Sequence, residues 1–329
     1  MHTPSSILPP PFSHCVVTGG AGFIGSHLVE RLLADGHRVT VIDDLSTGRR
    51  ENLAAAAAHP GLRFIESTVS GCAELDELVA GADQVFHLAA AVGVELVVRA
   101  PIRVIETNLG ETQALLAAAA VRRTPVLLAS TSEVYGKSAK AEFAEEDDLL
   151  IGPPTHARWS YACSKLMDEF LALAFAQERG LPVVIARLFN TVGPRQTGRY
   201  GMVLPRFIAA ARRGEPLRVF GDGQQTRCFG FVNDTVEALV RLARTPAARG
   251  EVFNVGGTEE VTIEDLARRV IALLGSASTV QLVPYHEAYA PGFEDMRRRR
   301  PAVGKLERVT GFLPATPLDE IIRRTAAEG

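Results

Sequence analysis

Short apolar runs alternate with longer stretches whose apolar positions recur every three or four residues, and this rhythm dominates the first half of the chain. Cys15-Val16-Val17 reads as a short buried strand, and residues 39–43, 62–65, 84–88, 126–129 and 183–188 read as further strands. Helical stretches fall between them at 24–34, 74–80, 101–121 and 161–179. Strands alternating with helices predict an α/β fold, a doubly wound parallel sheet covered on both faces.

After Asn190 the rhythm loosens. Gly193-Pro194, Gly198, Gly201, Pro205, Gly214, Pro216, Gly221 and Gly223 break the chain into loops around one helical stretch at 205–213. Such a segment suits a smaller lobe closing over a ligand. Residues 229–232 and 234–244 read as one more strand and helix returned to the main sheet, and 261–274 and 318–325 as the last helices. The predicted organisation is a loose arm over 1–13, a sheet domain over 14–189 plus 228–250, and a ligand lobe over 190–227 plus 251–329. No internal repeat is visible, and the alanine run at 54–58 carries no chemistry.

Composition narrows the classes. A chain of 329 residues, 47% hydrophobic and 22% charged, is an ordinary soluble globule with room for a large core. Its formal charge of −3 provides no electrostatic case for nucleic acid or an anionic membrane. The dense basic run Arg297-Arg298-Arg299-Arg300 reads, by charge alone, as a solvated patch. Cys15, Cys72, Cys163 and Cys228 are scattered, with no metal-ligand spacing, and fit reduced thiols of a cytoplasmic protein. Residues 1–11 are proline-rich and lack the apolar core of a signal peptide, and no run approaches the roughly 18 apolar residues of a membrane span.

Two motifs bring chemistry. Gly19, Gly22 and Gly25 follow a strand and open a helix, where glycine lets backbone N–H groups approach a pyrophosphate at the helix N-terminus. Asp43 ends the next strand, where a carboxylate binds adenosine ribose hydroxyls and repels a 2′-phosphate, so NAD is favoured over NADP. Tyr161 and Lys165 are four apart and share a helix face, so the ammonium is expected to lower the phenol towards neutrality. A phenolate beside a nicotinamide takes a proton from an alcohol as hydride leaves its carbon.

These motifs together resemble the extended short-chain dehydrogenase/reductase family of nucleotide-sugar epimerases, dehydratases and decarboxylases, which have a Rossmann sheet. The resemblance spans nearly the whole chain. His87-Leu88-Ala89-Ala90, Thr107-Asn108, Arg187-Leu188-Phe189-Asn190, Gly193-Pro194-Arg195, Gly221-Asp222-Gly223 and Phe253-Asn254-Val255-Gly256 all stand where that family has counterparts. It implies NAD contacts at the glycine turn with Phe23 and Ile24, and at Asp43, Asp44, Ser46, Thr47 and Gly48 around the ribose. Leu88, Ala89, Ala90 and Thr107 would line the cofactor beside Tyr161 and Lys165. A departure follows the third strand: Ser67-Thr68-Val69 replaces the family's frequent Asp-Val pair at the adenine, leaving Thr68 and Val69 to supply that contact. For a UDP-sugar the resemblance implies Asn190, Arg195, Arg199, Leu204, Phe207 and Phe220, with Arg227 on the diphosphate.

The branch is indicated by Thr131-Ser132-Glu133. Family 4,6-dehydratases carry Thr-Asp-Glu there, and Ser132 is a poor proton donor for their elimination. Thr-Ser-Glu resembles the UDP-glucuronate decarboxylases, and Arg299 aligns with an arginine they place near the sugar carboxylate. The resemblance implies oxidation at C4 of UDP-glucuronic acid and loss of carbon dioxide from the β-keto acid. Tyr161 and Thr131 would then act at O4, and Glu133, as a base or water-positioning group, with Arg299 near C5 and the carboxylate. A UDP-glucuronate or other 4-epimerase is the near alternative and a non-catalytic NAD-sensing regulator the remote one. Whether hydride returns to give UDP-xylose or a 4-keto pentose leaves stays open. Apolar residues beyond one core stripe, Leu115, Leu116, Leu171, Leu173 and Phe175, predict a homodimer through 101–121 and 161–179.

Overall fold

The computed structural model describes residues 12–198, 202–288 and 296–327. Seven parallel strands form the central sheet. In space they run Leu62–Glu66, Arg38–Asp43, His14–Thr18, Gln84–His87, Val126–Thr131, Val183–Leu188 and Glu251–Val255. The first strand in the chain therefore lies between the second and the fourth, and the direction of winding reverses beside it. Such a switch point opens a crevice at the C-terminal strand ends. The register brings Thr18, Ile42 and His87 side by side there, with Thr131 beside Leu188. The strands are apolar along both faces because helices cover both.

Phe23–Ala34 and Val232–Arg244 pack on one face, where Leu28, Leu32 and Leu239 meet Val17 and Phe86. Pro101–Arg122 and Trp159–Arg179 pack together on the other, over Leu128 and Ile185. Leu115 and Leu116 belong to this core, and Leu171, Leu173 and Phe175 pack against it. The sheet buries Leu115 and Leu116 within one chain and half-covers Leu171, Leu173 and Phe175, which takes the first two out of the sequence-based argument for a second apolar face. The apolar side chains left outward on these helices are others, including Ile102 at 71%, Met167 at 50% and Phe170 at 63% exposure.

Two expectations about the second half change. Gly230–Phe231 does not return to the main sheet but pairs with Thr191–Val192. The strand that does join it is Glu251–Val255, beside Val183–Leu188, so residues expected in the ligand lobe form a sheet edge. The lobe itself packs Val203–Arg212, Ile263–Leu273 and Leu318–Ala327 around Phe207, Leu266 and Ile321. Short pairs brace it, Leu217–Phe220 with Val280–Val283 and Thr226–Cys228 with Glu260–Thr262. Phe12 and Ser13, expected in the arm, are held: the Phe12 ring meets His37 and Phe86, and Ser13 N–H donates to Asp83 at 2.8 Å.

Glycine is required at two points of the turn after the first strand. Gly19 has φ +70, and a Cβ there would sit 2.7 Å from Ala89 N. At Gly25 a Cβ would collide with the Gly19 carbonyl. Both contacts are with backbone, which cannot yield, so turn, helix start and fourth strand meet at one place.

Candidate functional site

A cleft of about 770 Å³ runs from the glycine turn along the strand ends into the smaller lobe. Of the predicted cofactor residues, Gly19, Gly22, Phe23, Ile24, Gly25, Asp43, Asp44, Ser46, Thr47, Thr68, Val69, Leu88, Ala89, Ala90, Thr107, Tyr161 and Lys165 all line it. Gly48 does not. It stands behind Asp43, where a Cβ would come within 2.9 Å of Oδ1. The Asp43 carboxylate accepts from Ala21 N at 2.9 Å and Leu45 N at 2.8 Å, which fixes its direction. Burial pushes its pKa up, and those N–H groups oppose the shift. At the far end Glu111, unremarked in the sequence, accepts from the N–H groups of Val69 and Ser70.

The predicted catalytic residues meet where Val126–Thr131 ends. Thr131 Oγ1 accepts from Glu133 N at 3.2 Å and so caps the single turn Ser132–Tyr135. Thr131 and Tyr161, the latter on Trp159–Arg179, line the same part of the cleft, and the Thr131 hydroxyl favours the ionised phenol. Tyr161 and Lys165 do share the cleft-facing side of that helix, but the expected lowering of the phenol is absent. Burial raises its pKa, the Glu133 carboxylate raises it further, and the Thr131 hydroxyl only partly opposes them. The Lys165 ammonium is engaged elsewhere, donating to Asp168 Oδ2 at 2.8 Å in a buried pair.

Glu133 lies between two guanidinium groups. Arg158 Nη2 donates to its Oε2 at 3.1 Å, and Arg299 Nη1 donates to its Oε1. Burial alone would raise the Glu133 pKa, yet Arg299 and then Arg158 outweigh it and hold the acid down at about 2. Its charge pairing therefore stabilises the fold above the ordinary carboxylate range and fades only as pH falls towards about 2. A carboxylate held this low is a weak base, which favours the water-positioning alternative for Glu133 over the proton acceptor.

Arg299 is far in sequence but firmly placed, and it is no solvated patch. Its second Nη reaches Asn190 Oδ1. The segment carrying it is pinned where Phe143 N donates to Arg300 O and Ala302 N to Phe143 O, both at 2.9 Å. Asn254 ties Phe143 O to the sheet at 2.8 Å, and the Tyr135 hydroxyl donates to Asn254 Oδ1 at 2.8 Å. The Arg187–Glu169 pair, 2.8 Å apart, and its contact to Tyr135 complete this buried frame. Arg187 and Asn254 thus brace the site from behind.

In the smaller lobe Leu204, Phe207, Phe220, Arg195 and Arg227 line the same cleft. Arg227 donates to Met296 O at 2.8 Å, and Arg195 pairs with Glu30 at 2.7 Å. The Phe220 ring lies under the guanidinium of Arg206 at 5.2 Å and that of Arg218 at 5.9 Å. Arg199 falls outside the described residues. Sequence reasoning missed Arg158 and Asp168. Both had a signal, a charge three residues from Tyr161 and from Lys165, within one helical turn. Among the described residues no group of three or more His, Cys, Asp or Glu is placed to hold a metal, and no helix is long and apolar enough to cross a membrane.

The glycine cradle, the directed Asp43 carboxylate and the cleft beyond them fit a dinucleotide with a second nucleotide. Known proteins agree. The chain is 41% identical to a UDP-N-acetyl-alpha-D-glucosaminuronate decarboxylase of Bacillus cytotoxicus over 94% of its own length and 96% of the relative's. It is 36% identical to UDP-glucuronic acid decarboxylase 1 of Danio rerio, over 94% of this chain and 71% of that one. The crystal structure of a UDP-glucuronic acid 4-epimerase from Bacillus cereus, in complex with UDP-glucuronic acid and NAD, superposes with a TM-score of 0.86 at 27% identity, covering 96% of this chain and 98% of that one. The family model of the NAD dependent epimerase/dehydratase family matches residues 15–256. The seven-stranded sheet, the glycine turn and the Tyr161–Lys165 helix therefore place this chain in the NAD-dependent epimerase/dehydratase family, the extended short-chain dehydrogenases/reductases.

Proposed function

We propose that the protein decarboxylates UDP-glucuronic acid through a C4 ketone, giving the UDP-4-keto pentose, or UDP-xylose where the hydride taken from C4 is returned to it. The observation that carries this reading is the Thr131–Glu133 turn facing Tyr161, with Arg299 bound to Glu133. What NAD supplies when bound is a hydride acceptor at C4 and a cationic ring that favours the phenolate. Tyr161 takes the O4 proton, with the Thr131 hydroxyl donating to the oxygen. The C5–C6 bond of the resulting β-keto acid then breaks, carbon dioxide leaves, and the electron pair settles as an enolate on O4. Tyr161 and Thr131 hydrogen-bond that oxygen. Arg299 orients the carboxylate before it leaves and stays a cation throughout, so C5 takes its proton from water. Arg195, Arg227 and Phe220 are assigned to the nucleotide end, with arginines suited to the diphosphate.

A second reading concerns the substituent at C2. The 41% identical relative is named for a 2-acetamido sugar acid, which shares C4, C5 and C6 with glucuronate. Offering both UDP-sugars in one mixture and following each by mass spectrometry separates the two. Loss of carbon dioxide from UDP-glucuronate supports the first reading, and loss from the acetamido sugar alone replaces it with the second.

The proposal includes a homodimer through Pro101–Arg122 and Trp159–Arg179, now on different residues. Ile102, Met167 and Phe170 supply the exposed apolar surface. Phe170→Glu should shift the protein to monomer in light scattering at micromolar concentration. A wild-type monomer would contradict the dimer. Free thiols, three of them buried, fit a cytoplasmic setting.

A further inference from the structure

Thr107 and Glu111, one turn apart, are the residues of Pro101–Arg122 that line the cleft. The Glu111 carboxylate crosses to the segment that follows Leu62–Glu66. Its Oε2 accepts from Val69 N and, at 3.0 Å, from Ser70 N, while Oε1 accepts from the Ser70 hydroxyl at 2.6 Å. A carboxylate has about four acceptor positions, and these donors fill three. The fourth belongs to Oε1, on a half-buried side chain at the wall of the cleft.

The place of that carboxylate along a bound dinucleotide follows from the order of the cleft. The glycine turn takes the pyrophosphate and Asp43 the adenosine ribose. Asp43 pairs in register with Glu66, the end of the edge strand, and its carbonyl accepts from Ser67 N at 3.2 Å. A base joined to a ribose on Asp43 therefore meets Ser67-Thr68-Val69, with Glu111 next to Val69. Val69 N and Ser70 N each carry one N–H and spend it on Glu111. This end of the cleft thus offers the base an anionic acceptor in place of those two donors. Adenine has a matching donor, the amine at C6. A 6-oxo purine has a carbonyl there, and two acceptors face to face leave both unsatisfied.

We propose that Glu111 is a specificity-determining residue for the cofactor: its carboxylate accepts from the C6 amine of adenine and disfavours dinucleotides with an oxygen at C6. The inference builds on the NAD dependence of the family and not on which sugar is decarboxylated, so it stands or falls apart from that reading.

The test is calorimetric titration of the nucleotide-free protein with NAD and with nicotinamide hypoxanthine dinucleotide, in which a carbonyl replaces the C6 amine and N1 gains a proton. Wild type should bind NAD on the order of 10-fold more tightly, the effect of one hydrogen bond to a charged group. Glu111→Gln keeps a carbonyl oxygen for Val69 N and Ser70 N and places an amide NH₂ where Oε1 stood. It should weaken NAD by on the order of 10-fold and leave the hypoxanthine dinucleotide within about twofold, so the preference disappears. Glu111→Ala gives up the loop bonds as well and should weaken both ligands, again without preference. A preference for NAD that persists in Glu111→Gln would overturn the inference. So would equal weakening of both dinucleotides by that variant, which would make Glu111 a clamp on the loop alone, or a wild type that binds the two alike.

Discussion

Tyr161→Phe should cut turnover by about 10²–10⁴-fold, the usual loss when a general acid–base group is removed. The phenol is the proposed proton acceptor, beside Thr131 in the cleft, and phenylalanine keeps its packing while deleting the hydroxyl. NAD binding should stay close to wild type, because the Gly19–Gly25 turn and Asp43 are untouched. The raised phenol pKa has a further consequence. Without added positive charge the group is protonated at neutral pH, so base strength depends on what binds beside it. Near-normal turnover in stopped-flow assays of the variant would reject the role assigned to Tyr161.

Arg299→Ala should lower kcat/KM for UDP-glucuronate by on the order of 10²–10³-fold, as expected for a charged partner removed from a closed site. Arg299 bridges Glu133 and Asn190, so its loss unfixes both the carboxylate site and a side chain assigned to the sugar nucleotide. Both C4 oxidation and decarboxylation should slow. Glu133→Ser should behave differently. It leaves Arg158 and Arg299 without their shared anion but spares Tyr161 and Thr131, so hydride transfer should outlast decarboxylation. NADH absorbance should then accumulate on mixing while carbon dioxide release falls. Wild-type release of carbon dioxide in both variants would remove these residues from the mechanism.

Much of this architecture was legible in the residues because it follows from strong periods. Val39–Asp43 and Val183–Leu188 are apolar runs that only a sheet buried on both faces explains, and structure places both in that sheet. The glycine turn was legible for a steric reason, since backbone fills the space a Cβ would need at Gly19 and Gly25. The short strands Thr191–Val192 and Thr226–Cys228 were not legible, because two or three residues carry no period, and Gly230–Phe231 was legible as a strand but not its partner. Placing Glu251–Val255 at the sheet edge depends on pairing with Val183–Leu188, a contact no local pattern encodes.

The site divides the same way. Spacing identified Tyr161 and Lys165, and the family resemblance the Thr131–Glu133 triplet, but neither could say which charges neutralise which. Lys165 is bound to Asp168 rather than set to act on the phenol directly. Glu133 is paired with Arg158 as well as Arg299, and those two charges hold its pKa down against the effect of burial. Leu115 and Leu116 exceed one helix stripe, yet Pro101–Arg122 is buried from two sides, by the sheet and by Trp159–Arg179. Apolar surplus alone does not distinguish a neighbouring helix from a neighbouring molecule.

The most direct measurement uses UDP-glucuronic acid labelled with ¹³C at C6, incubated with the NAD-loaded protein and followed by NMR. The expected result is movement of the label into dissolved carbon dioxide and bicarbonate as an unlabelled UDP-pentose appears. Label retained at C6 of a hexuronate inverted at C4 would contradict the decarboxylase reading and make the protein an epimerase.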